Sequence, residues 1–212
     1  MLSVISFIGY LLLLSRTYNI LKRNRSNVQV AANKRLTIGG SLAALAALLH
    51  AAPVFLPAIG LVLSPLSTLP VLLAALLLAD QAFAVFLAAA ALLFFINVKE
   101  AAIFFLATGP LGLSAALAAV SNKPLWRSLP LAASLLICGI LLLVFSLGLP
   151  GLQNIVGAFN AANFLIIALF SLAYSSLFAA AASFLQKRLA SLFAAVLTET
   201  DFNVDRPRHP RK

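Results

Sequence analysis

The chain has 212 residues, 63% of them hydrophobic and 9% charged, with 15 Lys plus Arg against 5 Asp plus Glu and a net charge of +10; its mean hydropathy is +1.07. So little polar surface cannot cover a folded chain in water, which excludes a soluble globular domain and makes this an integral membrane protein. The positive charge would suggest nucleic acid in a soluble domain. Here it lies in short segments beside apolar runs, where it retains loops on the cytoplasmic side, and nucleic acid is not an expected partner.

Residues 1–33 open with an apolar run, Leu2 to Leu14, shorter than the ~20 residues a spanning helix needs. A secretory signal carries its positive charges before the apolar run, whereas Arg16, Lys22, Arg23 and Arg25 follow it. Three readings stay open: a helix starting outside, a helix lying at the interface, or an extension from an upstream start. Asn24 to Asn33 reads as a polar linker, so residues 1–33 are expected to be an appendage.

Residues 34–190 hold six apolar runs: Leu36 to Leu56, Leu61 to Ala79, Gln81 to Ile96, Ala101 to Val120, Leu129 to Leu149 and Phe159 to Leu185. Each can cross ~30 Å of hydrocarbon at ~1.5 Å per residue, given some tilt or local thinning. Pro65 and Pro70 in the second run, and Thr108, Gly109, Pro110 and Gly112 in the fourth, predict bends whose freed carbonyls neighbouring helices must satisfy or a solute can meet. The fold class is therefore all-α, a polytopic transmembrane bundle of six core helices plus an N-terminal hydrophobic helix whose crossing stays open. Alternate threading puts Lys34 and Arg35, Lys123 and Arg127, Lys187 and Arg188 inside, together with a tail, residues 191–212, that ends in RPRHPRK. Fourteen of the fifteen basic residues then lie on one side, and Lys99 alone lies outside.

No metalloprotease, nucleophile-elbow or phosphate-loop motif is present, nor a Cys/His cluster, so neither an enzyme nor a metal site is expected and no cofactor is implied. Cys138, the one cysteine, reads as a small hydrophobe. Gly39, Ala43, Ala47 and Ala51 form a small-residue ladder on one helix face, either for packing inside the bundle or for docking another membrane subunit. His50, near the outer end of the same helix, is either a packing histidine or a donor and acceptor for a ligand. In the last run Asn160, Asn163, Ser171 and Ser175, with Tyr174, keep to one face, as interhelical glue or as a cavity lining. Asp80 suits an N-cap for a helix starting at Gln81, Glu100 suits the positive end of the next helix, and Asn97 suits a left-handed helix end. Asn97, Lys99, Glu100, Gln153 and Asn154 also gather on the outer side.

The stretches KRLTIGGSLAALAALLHAAP, LSPLSTLPVLLAALLLAD and ATGPLGLSAALAA resemble the substrate-binding membrane subunits of energy-coupling factor transporters, over roughly residues 34–188. The resemblance implies a non-enzymatic subunit in a prokaryotic inner membrane that captures a vitamin-like solute in an outward cavity and works with a coupling membrane subunit and cytoplasmic ATPases. It implies Ala43, Ala47 and Ala51 as docking positions, and His50, Asn97, Asn160 and Asn163 as ligand candidates. The rival class is a multi-span scaffold of envelope assembly, similar in size to the rod-shape-determining membrane family, which would bind no solute.

Overall fold

A computed structural model describes residues 2–23, 32–120, 125–148 and 161–204, and among these every regular element is a helix. In chain order they are α1 (Leu2–Arg23), α2 (Ala32–Phe55), α3 (Pro57–Leu63), a 3-10 turn (Ser64–Ser67), α4 (Thr68–Leu77), α5 (Ala82–Ile96), α6 (Val98–Ile103), a π-turn (Phe104–Thr108), α7 (Gly109–Val120), α8 (Leu125–Leu147) and α9 (Ala161–Val204). Among the described residues five segments are long and apolar enough to cross a membrane: Asn33–Phe55, Pro57–Leu77, Val98–Val120, Ser128–Phe145 and Ala161–Leu189. The chain is a multi-pass helical membrane protein.

The third apolar run forms the shorter helix α5, whose 15 residues rise only about 22 Å. It nevertheless runs beside α2 from the level of Gly39 to that of His50. A Cβ placed on Gly39 would lie 3.3 Å from Val85 Cγ2 and 3.6 Å from Gln81 Oε1, and fifteen residues further along α2 Arg35 has given way to His50, which faces Glu100 just past the end of α5. The two helices run side by side in the same direction, which a lipid-crossing α2 imposes on α5.

At both places where a bend is predicted the helix departs from regular α geometry, each time with a local cause. In the second run Pro65 removes a backbone donor and the chain tightens into the 3-10 turn that separates α3 from α4. In the fourth run the π-turn lies just before Pro110, whose missing N–H and bulky ring disfavour regular i to i−4 bonding across the preceding turn. The wider turn turns carbonyls outward, and the Tyr10 hydroxyl donates to two of them, Phe105 O at 2.9 Å and Leu106 O at 3.1 Å. Gly139 on α8 lies against the Leu106 carbonyl so closely that any side chain there would collide with it.

Residues 2–23 are not an appendage. Tyr10, Leu14, Thr17 and Leu21 recur every three or four positions, are fully buried, and dock α1 on α7 and α8. Its far end is held by Tyr18, whose hydroxyl donates to the Asp80 carbonyl at 3.0 Å. The α9 backbone continues helical to Val204, about 66 Å in all, although its segment long and apolar enough to cross a membrane ends at Leu189. Asp80 does not cap α5, which begins at Ala82 with Gln81 as an N-cap that makes no side-chain bond; its carboxylate instead meets Arg35 at 2.9 Å. Cys138 is a free, half-buried thiol packed at the edge of the core, as expected of a small hydrophobe.

Candidate functional site

The helix period brings Ala43, Ala46, Ala47, His50 and Ala51 onto one face of α2, and all are buried. Ala43, Ala47 and Ala51 retain 2%, 3% and 0% of their surface. The ladder therefore packs α2 onto α3, α4 and α5, and the docking face expected for a separate subunit is filled by the chain's own helices. Without a hydrophobic drive between helices in lipid, such small-residue contact is what lets backbones approach closely enough for dispersion to hold them.

His50 continues this face into the bundle, where the 3-10 turn presents two hydroxyls to it. Its Nδ1 lies 3.0 Å from Ser67 Oγ and 3.2 Å from Ser64 Oγ, and its ring meets Phe104 edge-on at 5.3 Å. On the other side Nε2 faces Glu100 Oε2 at 3.6 Å, beyond hydrogen-bond length. Asn97 sets up that approach. It adopts an extended conformation, φ −158° and ψ 117°, not a left-handed one, and its Oδ1 accepts from the backbone N–H of Lys99 and of Glu100. It thus caps α6 and fixes the first turn from which Glu100 reaches His50.

The order carboxylate, imidazole, hydroxyl is that of a nucleophilic relay, a pairing the sequence motifs did not reveal. Here His50 and Ser67 have no exposed surface. The arrangement ties α2 to the bent second span and to α6, and offers the imidazole Nε2 edge to the bundle interior.

A second group of hydroxyls adjoins the first through the chain itself, since Thr68 follows Ser67. The Thr68 carbonyl lies 2.9 Å from where a Gly112 Cβ would stand, so α4 and α7 touch backbone to backbone there. Tyr174 on α9 lies beside the Thr68 side chain. Ser171 and Ser175, one turn apart and flanking Tyr174, are fully buried on a helix that packs mainly on α7 and α8. Thr108 stands one turn before Gly112 on the same stretch. Among the described residues, His50 Nε2 and the hydroxyls of Thr68, Thr108, Ser171 and Ser175 are buried without a hydrogen-bond partner. A buried polar atom left unmatched costs about 1–3 kcal/mol, so these five are the atoms that a bound polar group would relieve most.

Of the expected ligand residues, His50 lies at the heart of this centre and Asn97 acts one step removed, through Glu100. Asn163 is half-buried in the first turn of α9, about 12 Å along the helix from Ser171. Asn160, Gln153 and Asn154 lie outside the described residues. Ser64, Ser67 and Thr68 were missed, although hydroxyls clustered at a proline bend inside an apolar span are a readable signal of a polar opening. Among the described residues no group of three His, Cys, Asp or Glu is placed to hold a metal ion. No protein-family model matches the chain, and no curated protein or solved structure is significantly similar to it.

Proposed function

We propose that this chain is the solute-binding membrane subunit of an ATP-driven importer for a small, weakly polar, vitamin-like nutrient. The observation that carries the reading is the set of five buried polar atoms without a hydrogen-bond partner, four hydroxyls and one imidazole nitrogen, inside a bundle whose core is largely alkyl and aromatic. A neutral solute with a few hydroxyl or carbonyl groups complements them. The imidazole gives a donor or an acceptor according to its tautomer, and each hydroxyl gives both. The 3-10 turn and the π-turn support the reading as well, since irregular backbone at membrane depth is tolerated where it borders protein or a cavity.

The chain carries no nucleotide-binding motif, so the energy comes from a coupling membrane subunit and cytoplasmic ATPases in a prokaryotic inner membrane. With the Ala43–Ala47–Ala51 ladder packed internally, the surface of α2 open to such a subunit is the exposed stripe beside it, at Gly40, Ala44 and Leu48. Native mass spectrometry of the protein gently extracted from its own membrane tests the proposal. A retained small molecule together with copurifying coupling and ATPase subunits is the expected result. A bare chain, or one bound only to envelope-assembly proteins, overturns it in favour of the scaffold.

A further inference from the structure

A groove of about 470 Å³ lies where α1, α5 and α6 meet, within the size range of small-molecule sites. Its wall includes Phe7, Leu87, Phe94, Val98, Ala101 and Phe105, and none of the residues lining it carries a polar side chain. Phe7, Leu87, Phe94 and Val98 keep 40% to 59% of their surface, so the groove opens sideways, where hydrocarbon surrounds the bundle, and not into the polar centre. It runs along α5 for about 16 Å, from Leu87 to the Asn97 turn.

At that turn stands Lys99, exposed, and by the threading of the chain the one basic residue at this end of the bundle. A cation on the translocated side runs against the insertion bias, and at the interface it is free to meet an anionic headgroup. The adjacent carboxylate does not serve. Positions 98, 101, 102 and 105 line the groove, which puts Glu100 about 180° round the helix, where it faces His50. Among the described residues Arg35 pairs with Asp80 and Glu100 approaches the His50 imidazole, and Lys99 takes part in neither contact.

We propose that this groove holds one anionic phospholipid, with an acyl chain against α1, α5 and α6 and its phosphate at the Lys99 ammonium. Lys99 is about 100° round α6 from Val98, so its long side chain stands at the rim of the groove's end, and an alkyl groove with one cation at its rim is complementary to a molecule with an alkyl chain and an anionic head. Inorganic phosphate lacks the chain, and a weakly polar nutrient would find nothing to hydrogen-bond. The site is separate from the polar centre and does not depend on the importer reading.

The test uses the purified full chain, delipidated in detergent, with phosphatidylglycerol and phosphatidylcholine as competing probes read by native mass spectrometry. One phosphatidylglycerol per chain is expected to be retained in preference to phosphatidylcholine. Lys99→Ala is expected to weaken that preference about fivefold, the effect of one interfacial cation, while Lys99→Arg keeps it. Ala91→Phe, at an exposed position on the groove wall, is expected to remove the bound lipid. Should Ala91→Phe misfold, the two Lys99 variants decide alone. Equal retention of both lipids, a Lys99→Ala protein that behaves as wild type, or a second copy of the chain occupying the groove overturns the proposal. A solute held in the polar centre has a different mass and is unaffected by the Lys99 changes, so failure here and failure of the importer reading are distinguishable.

Discussion

His50 makes two contacts with the 3-10 turn, one ring contact with Phe104 and a close approach to Glu100, each to a different segment. Replacing it by Ala removes the partner of two seryl hydroxyls and opens a cavity beside Phe104. His50→Ala is expected to destabilise the protein by about 2–4 kcal/mol, read by thermal unfolding in detergent; an unchanged midpoint would mean the imidazole carries no structural weight. Tyr10 has a smaller and more local role. Tyr10→Phe keeps the ring and deletes the hydroxyl that serves two π-turn carbonyls, so a loss of about 1 kcal/mol is expected, with faster amide exchange confined to the neighbourhood of Phe104–Thr108. His50 stood out in the sequence because an imidazole inside an apolar run has few reasons to be there. Glu100 did not, because a carboxylate at a helix start already has a local explanation, and its approach to a residue fifty positions away leaves no mark in spacing.

The elements were legible wherever a local rule decides them. Proline placed both bends, and four-residue spacing placed the buried face of α2. What spacing could not say is which surface covers that face, since a ladder of small residues serves a neighbour in the same chain as well as one in another. Ala47→Leu separates the two: with Ala47 only 3% exposed, the extra bulk is expected to cost about 1–3 kcal/mol of stability in the isolated protein. A docking face would leave the isolated protein as stable as before. Gly139→Ala tests the closest approach between elements. A Cβ there collides with the Leu106 carbonyl, so α8 must move off the π-turn and a drop in unfolding temperature is expected, together with weakened docking of α1 through Tyr10.

At the scale of the whole molecule, composition alone settled the membrane class, and hydrophobic runs gave the core helices within a few residues, except that α9 continues past Leu185 to Val204. The integration of α1 escaped that reading because its apolar run is short; the buried stripe continues beyond it through Thr17 and Leu21, mixed with basic residues that mask the period. The polar centre is a property of the assembled bundle, built from α2, the 3-10 turn, α4, α6, the π-turn and α9, so no single segment announces it. Its role in binding is tested most directly by Thr68→Val, Ser171→Ala and Ser175→Ala combined, which keep the packing nearly unchanged and delete three of the unmatched hydroxyls. Comparing the native masses of this variant and the wild type after the same gentle extraction, we expect a small molecule on the wild type and its loss from the variant. A wild-type protein without any bound solute, or a variant that retains it undiminished, would contradict the assignment of this centre as the binding site.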